Sequence, residues 1–204
     1  MKKLNDLLKI GVSGLMGSGK SEALEYFKKK LIPTYDLDIE SKKLLKINSR
    51  VYFKVIKKFG VGILNKNKTI NKRKLRELVF NNSSARIQLN NIVHPEVLKM
   101  VVMISKKESK KKKTLIVFEG ALISKKTDIG KFLNKIIFVH TPEKILAKRI
   151  STRDGLSIKD ALKLLKMQNN IKKNRKSADI VVLNDKSIKN LHKQLNLVLD
   201  KLAY

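Results

Sequence analysis

Apolar residues come in two rhythms along this chain. Short runs without polar interruption recur at wide intervals, and between them Leu, Ile and Val return every three or four positions. The uninterrupted runs are "LKIGVS" (residues 8–13), "TLIVFEG" (114–120), "KIIFVH" (135–140) and "ADIVVLN" (178–184). A strand covered on both faces needs no polar alternation, so these runs predict buried strands. "IPTYDLD" (32–38) predicts a shorter one, with Pro33 tolerable at its start.

The slower rhythm predicts a helix over about 19–30 and an almost wholly helical region over 39–102, punctuated at "FGVG", "NKNKT" and Pro95. "TPEKILAKRI" predicts another helix, with Thr141 as N-cap and Pro142 at the first helical position. A basic helical stretch reaches Ser177, and residues 187–202 predict a closing amphipathic helix. Strands alternating with helices argue for an α/β fold with a five-stranded parallel sheet and helices on both faces. The long insert after the second strand and the basic one after the fourth read as added lobes. No internal repeat is visible.

The junction of the first strand and first helix reads "GLMGSGKS" (14–21), in which Gly14, Gly19, Lys20 and Ser21 satisfy G-x-x-x-x-G-K-[ST]. In that arrangement backbone N–H groups wrap phosphates at the positive end of the following helix. The predicted cradle runs from Gly14 through Met16, Gly17, Ser18, Gly19, Lys20 and Ser21 to Glu22. Lys20 would reach the β- and γ-phosphates of ATP, and the Ser21 hydroxyl would ligate Mg²⁺. The bland alternative is a glycine turn with a solvent-facing lysine. The strand before the loop and the amphipathic helix after it favour a P-loop, hence a P-loop NTPase fold.

A kinase also needs a carboxylate where the acceptor hydroxyl meets the γ-phosphate. Asp36 and Asp38 end the second strand on the same sheet edge as the loop, where ligands of parallel sheets bind. With two acids alternating, one can cap the helix expected from Ile39 while the other acts on the hydroxyl. Arg149 and Arg153 in "AKRISTRDG" stand four apart, on one helix face. They suit a lid that waits in solvent and brings charge late, or else a plain solvated face.

Charge adds less than its size suggests. The chain has 204 residues and a formal net charge of +30, but lysines are spread nearly everywhere among many Asn and Ile residues. That pattern reads as a solvated lysine surface, with a nucleic-acid or anionic-membrane partner as the alternative. The densest run, "KKESKKKKT" (106–114), reads as a solvated connection between a helix and a strand. There is no cysteine, which fits a reducing cytoplasm. "MKKLNDLLKIGVSG" opens with lysines like a signal peptide, but Asn5, Asp6 and Lys9 break its apolar region, and no run approaches membrane-span length. A soluble, cytoplasmic protein is expected.

Taken together, these motifs resemble the dephospho-CoA kinase family almost end to end. "IGVSGLMGSGKS" is similar to the family's opening strand and P-loop, and "IPTYDLD" to its second strand. "INKRKLRELVFNN" with "LNNIVHPEV" resembles the helical lobe, "AKRISTRDGLSIKDALKLLKMQ" the lid, and "SADIVVLN" the last strand with its terminal Asn184. The resemblance implies transfer of the ATP γ-phosphoryl group to the ribose 3′-hydroxyl of dephospho-CoA, with Mg²⁺. It maps the catalytic aspartate to Asp38 and the lid arginines to Arg149 and Arg153. Asp36, Arg76 and His94 then belong with the acceptor, and Asn184 with the nucleotide. It implies a core of residues 1–46, 114–142 and 178–204, an acceptor-binding lobe of 47–113 and a lid of 143–177.

The chain departs from the family in places. Where the family commonly has Pro-Leu-Leu after the third strand, the chain reads "VFEGALI", leaving Glu119 either to act through water on Mg²⁺ or to be a buried structural acid. The family lysine after the lid glutamine is Asn174, with Arg175 adjacent. His94 could contact a ligand, or simply end one helix while Pro95 starts the next. His140 and His192 read as structural. Two rivals remain: another small-molecule P-loop kinase, and an NTP-driven nucleic-acid-binding protein. The latter would want stacking aromatics, and aromatics are only 5% of the chain. The expected partners are ATP and dephospho-CoA, with no nucleic acid and no membrane, for a monomer or small homo-oligomer.

Overall fold

Each apolar run becomes a strand. In the computed structural model, which describes residues 7–121 and 123–202, the strands are β1 (Leu8–Gly14), β2 (Thr34–Asp36), β3 (Leu115–Glu119), β4 (Lys135–His140) and β5 (Ile180–Leu183). They form one five-stranded sheet in the order β2-β3-β1-β4-β5, every neighbouring pair parallel. The lysines of residues 1–6, in the stretch weighed as a leader, lie outside the described residues.

The helices are α1 (Lys20–Lys29), α2 (Leu37–Leu44), α3 (Arg50–Phe59), α4 (Lys72–Asn81), α5 (Ser83–Lys110), α6 (Asp128–Phe132), α7 (Glu143–Asp154), α8 (Ile158–Lys166), α9 (Asn169–Lys173) and α10 (Ile188–Leu202). Single 3₁₀ turns occupy Val61–Ile63 and Asn174–Ser177. Contacts group the chain into two units: Leu37–Ile104, and everything up to Asp36 together with everything from Ser105. No helix among the described residues is long and apolar enough to cross a membrane.

In the sheet-bearing unit, alternate strand residues bury toward opposite faces. Ile10, Val12, Val117, Ile137, Val139 and Val182 pack against α1 and α10 through Ala23, Phe27, Leu191, Leu195 and Val198. The residues between them, Ile116, Phe118, Ile136 and Phe138, are equally buried. That is why the runs show no polar alternation. Phe27 is fully buried, and its truncation to Ala would cost about 3–5 kcal/mol. The unit Leu37–Ile104 has its own core, in which Val51, Tyr52, Val55, Ile63, Ile70 and Leu75 are the buried members.

Local readings needed correction at four places. β2 stops at Asp36, and α2 starts at once on the buried Leu37. Asp38 therefore sits in a helical first turn, where an acid complements the helix dipole, and not at a strand end. Thr141 is not the N-cap of α7; Pro142 occupies that position, and the Thr141 hydroxyl is buried against two carbonyls. Pro95 does not interrupt its helix. It lies inside α5, where Leu89, Ile92 and Val93 pack on the unit's core, and such burial outweighs the lost hydrogen bond. The run 106–110 is the last turns of α5, not a connection. Its Glu108 is buried and accepts from the Tyr35 hydroxyl and Lys111 Nζ. Burial would raise the Glu108 pKa, but those two donors more than offset it and hold it low.

Candidate active site

The loop leaves central strand β1 at Gly14 and enters α1 at Lys20. Gly17 and Gly19 take φ of 76° and 95°, which side chains disfavour. A Cβ on Gly19 would collide with Asn184 Nδ2. Gly19 is the N-cap of α1 and offers its first amides no side-chain acceptor. The buried Ser18 hydroxyl has no hydrogen-bond partner, and it lies 2.6 Å from where a Cβ on Gly14 would stand. An uncapped helix end, a glycine curl and an unpartnered hydroxyl inside it fit a phosphate chain.

Lys20 Nζ donates to Leu15 O at 3.3 Å and stands 3.8 Å from Glu119 Oε1. Both side chains are largely buried, at 13% and 5% exposure, so each charge needs the other. Glu119 ends β3, in register with Val12 of β1 on one side and Asp36 of β2 on the other. The strand ends thus set Asp36, Glu119 and the loop along one edge of the sheet. Ser21 is exposed in the first turn of α1. Glu22 reaches α10, paired with His192 Nε2 at 2.8 Å.

Two sets of contacts grip the loop. From the sheet side, Asn184 Nδ2 donates to Ser18 O at 2.8 Å, and the Thr141 hydroxyl lies 3.1 Å from Ser18 O and 3.0 Å from Asn184 O. Asn184 N in turn donates to His140 O at 2.8 Å. From the α7–α9 side, Gln168 Oε1 accepts from Met16 N at 2.9 Å, and Arg149 Nη1 donates to Gly17 O at 3.3 Å. Leu15 and Met16 pack with Leu146, Ile150 and Leu165 in one apolar cluster.

Several residues stand differently from expectation. Arg149 does not wait in solvent; it is half-buried on the loop. Arg153 shares its helix face but is exposed and pairs with Asp154 through bonds of 2.7 and 2.8 Å, which raise its pKa. Asn184 meets the loop's backbone through its side chain. Asn174 Oδ1 accepts from the Ser124 hydroxyl, while Arg175 Nη1 lies 3.1 Å from His140 Nε2. Burial, and then the Arg175 charge, lower the His140 pKa, so the neutral ring accepts from Arg175. Sequence reasoning made Thr141 a helix cap and placed Gln168 in the lid by resemblance, but assigned neither a contact with the loop. Both reach it across long chain separations, which no local pattern signals.

The unit Leu37–Ile104 holds the remaining expected residues. Asp38 O accepts from the Ser41 hydroxyl at 3.2 Å within α2. His94 Nε2 is buried with no hydrogen-bond partner, and burial lowers the ring's pKa. Arg76 joins Lys42, Lys46 and Lys72 around a cavity of about 680 Å³ whose apolar wall includes Leu75 and Val79.

A model of the dephospho-CoA kinase family matches residues 8–190. A dephospho-CoA kinase of Bacillus licheniformis is 32% identical over 95% of this chain and 96% of its own. That of Fusobacterium nucleatum is 35% identical over 91% and 94%. Among solved structures, a Thermus thermophilus protein superposes with a TM-score of 0.77 at 25% identity, covering 96% of this chain and 98% of its own. Campylobacter jejuni dephospho-CoA kinase gives 0.67 at 27%, covering 95% and 96%. A shikimate kinase of Bacteroides thetaiotaomicron, at 0.53 and 16% identity over 97% and 99%, shares the fold. With a family model over most of its length and relatives that run end to end with it, the chain belongs to the dephospho-CoA kinase family.

Proposed function

We propose that this protein phosphorylates the ribose 3′-hydroxyl of dephospho-CoA with ATP, giving coenzyme A and ADP, in the cytoplasm and with Mg²⁺. The observation that carries the reading is the end-to-end family match, which includes the P-loop with Lys20. As the 3′-oxygen bonds to the γ-phosphorus, the bond from phosphorus to the β–γ bridging oxygen breaks and ADP leaves. The hydroxyl proton passes to the Asp38 carboxylate.

Lys20 and the loop amides hold the β- and γ-phosphates, and Arg149 and Arg153 offset charge on the transferring group. Asn184 serves the nucleotide through its grip on Ser18 O. Bound Mg²⁺ would supply charge neutralisation across the phosphates, with the Ser21 hydroxyl and, through water, Glu119 as its protein partners. Asp36, Arg76 and His94 serve the acceptor, and the four cations at the Arg76 cavity match a ligand rich in phosphate.

The test is ADP release with dephospho-CoA, adenosine and RNA as alternative acceptors, with the product's phosphate located by NMR. Only dephospho-CoA should support turnover. Asp38→Asn should lower kcat by roughly 10²–10⁴-fold and Asp36→Asn by less. Turnover with adenosine or RNA but not dephospho-CoA would sink the reading.

A further inference from the structure

The Leu15–Met16 peptide is held at both of its polar ends. Its carbonyl, Leu15 O, accepts from Ser18 N at 3.1 Å and from Lys20 Nζ at 3.3 Å. Its N–H, on Met16, donates to Gln168 Oε1 at 2.9 Å. Carbonyl and N–H of one peptide lie in a single rigid plane and point in opposite directions, so whatever fixes one aims the other. We infer that Gln168 is a positioning residue for phosphoryl transfer: by accepting from Met16 N–H it locks the peptide whose carbonyl parks the Lys20 ammonium.

Gln168 is itself well anchored. Its N–H donates to Leu165 O at 3.0 Å, closing the end of α8, and its carbonyl accepts from Ile171 N and Lys172 N at 2.9 and 3.0 Å, opening α9. The side chain thus leaves a joint between two helices, and reaches a loop 152 residues away in the chain. The apolar cluster of Leu15 and Met16 with Leu146, Ile150 and Leu165 brings the elements together, but apolar contacts do not orient a peptide plane. The Gln168 bond does, from the end opposite the one that Ser18 N and Lys20 Nζ hold. Without it the plane can turn about its flanking dihedrals, and Leu15 O no longer meets both Ser18 N and Lys20 Nζ. The ammonium then has to be ordered when phosphates arrive, and that ordering weakens binding.

The inference rests on reading the loop as an ATP site and not on the identity of the acceptor. It is therefore tested by equilibrium titration with ATP, without acceptor, on wild type, Gln168→Met, Lys20→Ala and the double variant. Gln168→Met keeps the length and the apolar contacts while removing the amide acceptor. It should weaken ATP binding roughly 3–12-fold, the size of one such bond to a backbone donor. In the Lys20→Ala background the same change should weaken binding less than about twofold, because the residue acts through Lys20. Gln168→Ala should repeat the pattern, which guards against a peculiarity of Met. Equal losses in both backgrounds, or no loss in wild type, would overturn the assignment. A large fall in melting temperature of the nucleotide-free protein would do so too, by marking Gln168 as a fold residue. Should dephospho-CoA not be turned over while the cycle still couples Gln168 to Lys20, the acceptor reading falls and this one stands.

Discussion

The P-loop is gripped on two sides by different kinds of contact. On the sheet side the grip is buried: Ser18, Thr141 and Asn184 are 1%, 2% and 6% exposed, and their bonds are made where water does not reach. On the α7–α9 side Arg149 and Gln168 are only half-buried. A buried polar group that loses its partner is left unsatisfied, whereas a half-exposed one can take water instead. The sheet side therefore fixes where the loop is, while on the α7–α9 side Gln168 orients one peptide of it and the Arg149 guanidinium is free to trade its single long bond to Gly17 O for another acceptor.

The sharpest way to break the buried grip is Gly19→Ala. The methyl group would enter the space of Asn184 Nδ2, at a φ of 95° that alanine resists. Loss of kcat/KM by about 10³-fold or more is expected, as when a transition-state cradle is dismantled. Near-normal turnover would show that the contact yields easily and the two sides do not differ. Arg149→Ala comes next on the exchangeable side. It should lower kcat roughly 10²-fold, the low end for loss of a preorganised donor, and Arg149→Lys should rescue poorly for want of the planar fork. Arg153→Ala should do less, because Asp154 already engages that guanidinium. Steady-state kinetics on the variants rank them, and equal losses at both positions would erase the distinction drawn from their present contacts.

How far the sequence could carry these distinctions depends on distance along the chain. The Lys135–His140 strand is legible to the residue because an apolar run buried on both faces needs no tertiary information. The P-loop is legible because its glycines are demanded by local backbone geometry. β2 has only three residues, too few to establish a period, so the point where Asp36 gives way to helix was hidden. Thr141 before Pro142 has the local form of a cap. That its hydroxyl is taken by carbonyls 123 and 43 residues away is settled by packing alone. Gln168 and Arg149 reach the loop across 152 and 132 residues, and no local pattern encodes that.

Within the buried grip, Asn184→Ala and Thr141→Val each remove one of the groups holding Ser18 O. Each should cost about 1–3 kcal/mol of stability, the range for a buried group left unsatisfied. Asn184→Ala should cost more, because its side chain supplies the shorter bond. Urea unfolding gives both values. If the double variant lost no more than the worse single one, the two groups would be acting as one unit.

The smallest effect concerns how β5 is held at the end away from the loop. The Asp179 carboxylate accepts from Ile136 N at 2.7 Å through Oδ2, and Lys125 Nζ straddles both its oxygens at 2.7 Å from Oδ2 and 2.9 Å from Oδ1, tying the entry of β5 to β4. Burial would raise the Asp179 pKa, but the Lys125 and Ile136 bonds more than offset it, so the folded value lies below the usual carboxylate range. A carboxyl with a depressed folded pKa stabilises the protein above its unfolded pKa, and that stabilisation disappears as pH falls through the folded value. Lys125 is 38% exposed, so screening keeps the contribution small, about 1 kcal/mol at neutral pH. Asp179→Asn should therefore unfold at lower urea than wild type at pH 7, and the gap should close as pH falls below about 4. A gap unchanged between pH 7 and pH 3 would mean that Asp179 acts by shape and not by charge. The hold on β5 would then owe nothing to ionisation.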